Sequence, residues 1–134
     1  MENTKIKLST LWIFVMFNYL YCDVMTLMDP VLLPQFMKGS VAGFKITEEF
    51  LLGAAILMEI PIAMILLSRV LDYRANRWAN IIAGSIKTVV MAATMFMGDG
   101  PELYYLFYGI IEIACTSYIV WYAWKWTETE AIPA

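Results

Sequence analysis

The fold is decided by residues 47–70, TEEFLLGAAILMEIPIAMILLSRV. Between Glu49 and Arg69 the only charged residue is Glu59. About 20 predominantly apolar residues suffice to cross the hydrocarbon core of a bilayer as a helix. The stretch also carries its own start signal. Thr47 is a favourable N-cap, Glu48 and Glu49 suit the positive end of a helix, and Ile46 and Leu51 take the positions of a hydrophobic staple. Pro61 removes one backbone donor and frees the carbonyl of Leu57, which predicts a kink within a helix over 48–70.

Three further runs of this kind flank it. The first is Thr10 to Leu27, interrupted by Asn18 and Asp23 and closed by the stop signal Asp29-Pro30. Lys5 and Lys7 ahead of it resemble the start of a signal peptide, but no small-residue cleavage site follows. Bulky Tyr21 before Cys22 likewise argues against a lipoprotein, so the run is read as a retained helix. The third run is Trp78 to Met97 with Lys87 near its middle, and the fourth is Pro101 to Lys125 with Glu112, Cys115 and Thr116. The polar run Arg69 to Arg77 and the Gly98-Asp99-Gly100-Pro101 turn are short, which makes their flanking helices antiparallel neighbours. Pro101 is placed as a first helical residue.

The connection Pro30 to Ile46 is longer and unusually apolar, with Val31, Leu32, Leu33, Phe36, Met37, Val41 and Phe44. It is predicted to lie on the membrane surface or to fold over the bundle mouth as a short amphipathic cap.

The whole chain agrees. Of 134 residues, 61% are hydrophobic and only 16% charged, against about 25% charged in soluble domains. A soluble globule of this size cannot bury so much apolar surface. The expected fold is therefore all-α: one integral membrane domain over residues 1–134, with four antiparallel helices at about 10–28, 48–70, 78–97 and 101–125, up-down-up-down. A net charge of −3 argues against nucleic acid, which needs a basic face. The absence of histidine excludes histidine-based metal sites and catalysis. No metal site is expected, and no cofactor is implied.

Orientation follows from counting basic residues. Lys5, Lys7, Arg69, Arg74, Arg77 and Lys125 fall at one end, and Lys38 and Lys45 at the other. The positive-inside rule then puts both termini in the cytoplasm.

Function is sought in depth. Each predicted helix carries a polar residue near its midpoint: Asn18, Glu59, Lys87 and Glu112, with Asp23 about 7 to 8 Å outward of Asn18. A charge facing lipid at the bilayer centre costs about 2.5 to 3.5 kcal/mol on insertion scales, so these residues are expected to face inward and to satisfy one another. Tyr19, Cys22, Asp23 and Thr26 share one helical face, and Tyr108, Glu112, Cys115 and Thr116 another. Ala55 and Ala63 leave room beside Glu59. Three acids against one lysine leave an uncompensated negative charge, which calls for protons, a bound cation or a cationic ligand. The candidate ligand- or ion-binding set is Glu59, Lys87, Glu112, Asp23 and Asn18, supported by Tyr19, Tyr108 and Thr116.

Two other readings stay open. In one, the layer performs proton transfer on a lipidic substrate, a carboxyl as acid and another as base. In the other, Lys87 merely fastens helices in a structural subunit. The expected partners are the lipid bilayer, a small, lipidic or ionic ligand, and further copies of the chain. Cys22 and Cys115 lie about 10 Å apart in depth, too far for a disulfide, and are read as packing residues; the methionines are read likewise.

Residues 11–30 (LWIFVMFNYLYCDVMTLMDP), 49–64 (EFLLGAAILMEIPIAM), 73–84 (YRANRWANIIAG) and 111–116 (IEIACT) resemble a family of small prokaryotic four-helix membrane proteins of unknown function, and more loosely DoxX-like four-helix proteins. The first resemblance implies a four-helix bundle and no activity. The second implies an association with respiratory or thiol chemistry.

Overall fold

Thr47 and Asp72 set two of the helix starts. The Thr47 side chain accepts a hydrogen bond from the Phe50 amide at 3.1 Å, and the Asp72 carboxylate accepts one from the Ala75 amide at 3.3 Å. Each satisfies a donor that the first turn of a helix leaves free. The computed structural model describes residues 2–41, 43–96 and 102–127. It contains five helices, α1 (Glu2–Met28), α2 (Leu32–Met37), α3 (Glu48–Val70), α4 (Tyr73–Met95) and α5 (Leu103–Lys125). Two short strands, β1 (Ser40–Val41) and β2 (Phe44–Lys45), pair antiparallel with Val41 opposite Phe44. All helices except α2 are long and apolar enough to cross a membrane, each 23-residue helix spanning about 34 Å.

Three boundaries differ from the sequence expectation. α1 begins at Glu2, well before Thr10, because its early turns already pack: Leu8 and Ser9 are buried, and the Ser9 hydroxyl donates to the Ile65 carbonyl at 2.8 Å. α4 begins at Tyr73, not Trp78. The polar run there is not a solvated turn. Asn76 donates from Nδ2 to the Ser68 and Leu71 carbonyls, and Arg77 donates to the Ala123 and Trp124 carbonyls at 3.2 and 3.0 Å. These side chains close the last turns of α3 and α5, whose carbonyls lack intrahelical partners. α5 begins at Leu103, after Glu102. The predicted turn at 98–101 and the end of the third run at Met97 lie outside the described residues.

α3 runs through Pro61 as a single helix. The connection after α1 is ordered into α2 and the β1–β2 hairpin, with Gly39 and Gly43 at φ 81 and 83, a region that side-chain-bearing residues rarely adopt. α2 buries none of its residues, and Val31, Met37 and Phe44 stay exposed.

The long helices close a ring in which α1 packs on α3 and α5, while α4 packs on α5 and α3. Leu8, Trp12, Val15, Tyr19, Met64, Ala83, Cys115, Ile119 and Trp126 form the core. Small residues bring α4 and α5 close. A Cβ on Gly84 would meet Val120 Cγ2 at 2.7 Å and the Thr116 carbonyl at 3.2 Å.

Candidate functional site

On α4 the buried residues are Asn76, Asn80, Ala83, Gly84 and Lys87, a stripe at helical spacing. On α5 they are Gly109, Glu112, Cys115, Thr116, Ile119 and Ala123. Where these stripes meet α1, Lys87 and Glu112 enter the bundle interior, Lys87 only 4% exposed and Glu112 fully buried.

Lys87 is held by soft partners. Its Nζ lies 4.3 Å from the centroid of the Tyr19 ring, a cation–π contact, and 3.8 Å from Met58 Sδ. Glu112 is less well provided for: among the described residues neither carboxyl oxygen has a hydrogen-bond partner, and the buried Tyr19 hydroxyl has none either. Buried polar atoms nearly always find partners, so two orphaned groups beside one ammonium mark this place in the molecule. Lys87 lies within electrostatic reach of both Glu112 and Asp23, and the two carboxyls repel each other. Thr116 does not serve the Glu112 carboxyl. Its hydroxyl lies 3.0 Å from the Glu112 backbone carbonyl and 2.7 Å from the Thr88 hydroxyl. Tyr108 packs edge-on against Phe107, with ring centroids 5.5 Å apart. Cys22 and Cys115 are buried free thiols.

Two residues of the expected set stand elsewhere. Glu59 is exposed on the outer face of α3. At about 100° per residue it lies roughly opposite Ser68, nine positions on, and Ser68 with Pro61 and Met64 marks the buried face. The neighbouring alanine at position 55 is itself exposed, so the room beside Glu59 opens outward. Met58, one position earlier, takes the place beside Lys87. Asn18 is half-buried and donates from Nδ2 to the Phe14 carbonyl of its own helix at 2.9 Å. Asp23 is exposed at the edge of the layer. The structure thus brings together Lys87, Glu112 and Tyr19, with Asp23 beside them.

A second polar cluster was not anticipated. Asn80 Oδ1 accepts from Trp12 Nε1 at 2.7 Å and from the Ser68 hydroxyl at 3.3 Å. Asn80 Nδ2 donates to the Asn76 carbonyl at 2.9 Å and to Asn76 Oδ1 at 2.7 Å. All four residues are buried. The spacing of Asn76, Asn80, Ala83 and Lys87 could have revealed it, had 73–77 been read as helix. This cluster is fully satisfied and joins α1, α3 and α4. Beside it lies a rim of cations on aromatic rings: Arg77 over Trp78 and Trp124 at 5.5 and 5.3 Å, and Lys125 over Trp121 at 4.5 Å.

Two shallow surface hollows among the described residues lie apart from Lys87 and Glu112. One of about 660 Å³ is lined by Leu103, Tyr104, Leu106, Phe107 and Ile110. The other, about 440 Å³, lies between the end of α1 and the start of α5, with Asp29, Glu102 and Tyr104 in its wall. Among the described residues, no three His, Cys, Asp or Glu side chains form a group that could hold a metal ion.

Four helices long and apolar enough to span a bilayer, with a buried ammonium and a buried carboxyl among them, make a helical bundle consistent with an integral membrane protein. The chain belongs to DUF6326, a family of unknown function whose profile matches residues 1–132. No curated protein and no solved structure matches it, and no DoxX link is shown.

Proposed function

We propose that this protein holds one small monovalent cation, the proton included, between Glu112, Lys87 and the Tyr19 hydroxyl, and passes it toward Asp23. The observation that carries this reading is the fully buried Glu112 carboxyl, neither of whose oxygens has a partner among the described residues. Charge supports it. With Glu59 outside the layer, Asp23 and Glu112 face a single ammonium, a surplus of one negative charge that one cation neutralises. Burial supports it too: Glu112 and Lys87 are buried, and neither lines the two surface hollows described above. That favours an ion over a lipidic substrate.

In this reading the four long helices cross the membrane up-down-up-down, with both termini and Arg69, Arg74 and Arg77 in the cytoplasm. The contacts of Leu11 with Cys115, and of Thr26 with Tyr104, fit α1 and α5 running in opposite directions. Tyr73 with Trp126, and Thr94 with Tyr105, do the same for α4 and α5. Asp23 then lies outward of Lys87 and Glu112, toward the side opposite the termini.

The test is thermal stability in detergent across a series of small cations at constant ionic strength, and across pH. A ligand that binds only the folded state stabilises it by about 2.7 kcal/mol at one hundred times its Kd. The wild type should respond saturably to at least one cation or to protons, and Glu112→Gln should lose that response. Identical behaviour of the two proteins under every condition would remove the proposal.

A further inference from the structure

The outer face of α3 carries a second pattern. Leu52, Ile56, Glu59, Ala63, Leu66 and Val70 follow one another at intervals of four, three, four, three and four residues. That is the 3.5-residue period of a helix seam. Leu52, Ile56, Leu66 and Val70 are each about 60% exposed, and Glu59 is exposed among them. α3 is also poorly embedded, with only Pro61, Met64 and Ser68 buried. The Glu59 carboxyl stands at the midpoint of a helix able to span the membrane, and no hydrogen bond or ion pair ties it to another described residue.

We infer that this seam is the contact between two copies of the chain, related by a two-fold axis along the membrane normal, with Glu59 meeting Glu59 of the second copy. Lipid offers the carboxyl no partner, and a polar side chain facing lipid at this depth is costly. Two copies inserted in one direction put every seam residue opposite its twin at equal depth. Each Glu59 therefore finds a hydrogen-bonding group at its own level without any other protein, one carboxyl donating to the other through a proton that the pair shares, since two ionised carboxylates are both acceptors and repel. A C2 contact is self-complementary by construction. A single polar residue in an otherwise apolar seam also fixes register, since any slip would place it against leucine or isoleucine. Ala63, one turn along, lets the two backbones approach.

The experiment uses the full chain with Cys22 and Cys115 replaced by Ser, single cysteines placed in turn along 51–70, and oxidative cross-linking in lipid vesicles. Cross-linked dimer should peak at positions 52, 56, 63, 66 and 70 and fall between them. In parallel, energy transfer between labelled copies is followed as the protein is diluted into lipid. Glu59→Leu should weaken association about three- to thirtyfold, the usual range for a polar contact between membrane helices. Glu59→Gln, whose amide can pair with its twin, should largely retain it. Three outcomes would overturn the inference: cross-linking without the period, Glu59→Leu associating as well as the wild type, or purified protein that stays monomeric at high protein-to-lipid ratio. The last would assign the face to lipid or to a different protein.

Discussion

Replacing Asn80 with alanine should be among the most damaging single changes in this chain outside the site. The side chain accepts from Trp12 at 2.7 Å and from Ser68 at 3.3 Å, and its amide donates twice to Asn76. Alanine leaves the indole N–H of a fully buried Trp12 without an acceptor, and Asn76 Oδ1 without its 2.7 Å donor. An orphaned buried group costs about 1 to 3 kcal/mol. Between membrane helices each polar contact is worth nearer 0.6 to 2 kcal/mol, because the separated helices find other partners. With the Ser68 hydroxyl, which loses the same acceptor, three stranded groups on the membrane scale give a loss of about 2 to 6 kcal/mol. Trp12→Phe removes the donor and keeps most of the ring, and should cost about 1 kcal/mol. The double variant should lose less than the two single losses together, because the Trp12–Asn80 bond is then counted once. The assay is reversible unfolding in mixed micelles, with helicity as the readout. A loss below about 0.5 kcal/mol for Asn80→Ala, or strict additivity with Trp12→Phe, would refute the claim that this cluster joins α1 to α4.

Other consequences follow from the same geometry. Gly84→Ala should push α4 away from α5, since the new Cβ meets Val120 and the Thr116 backbone; overpacking of this kind costs about 1 to 3 kcal/mol, read by the same unfolding assay. Lys87→Met and Glu112→Gln should be non-additive in a double-mutant cycle, by about 1 kcal/mol or more for groups sharing one site, whereas Lys87 with Glu59→Gln should be additive because Glu59 faces outward. A cysteine at Ala75, an exposed position in the first turn of α4, should react with an impermeant thiol reagent only from the cytoplasmic side.

How far the sequence was legible depended on what each pattern encodes. Hydropathy and caps report length, so the four long helices and Thr47 as a cap are legible in the sequence. Azimuth is harder. Along α3 apolar residues occupy every face, and nothing there distinguishes the face of Met64 from that of Glu59 by hydropathy alone. α4 is different: Asn76, Asn80 and Lys87 share one stripe, and that stripe is the buried one. The early start of α4 was missed because Asn76 and Arg77 look like turn residues until the neighbouring helix ends that they close are known. Tyr19 was found by its spacing from Cys22 and Asp23. Met58 carried no signal, since a thioether beside an ammonium is not distinguishable from ordinary packing.

The central claim is that the buried layer takes up one positive charge through Glu112. Charge displacement on a solid-supported membrane, after a rapid jump in pH or in the concentration of a small cation, tests it most directly. A transient current is expected in the wild type for protons or for at least one monovalent cation. That current should persist in Glu59→Gln and disappear in Glu112→Gln. A Glu112→Gln protein with the wild-type current, or a wild type that moves no charge in any of these jumps, would contradict it.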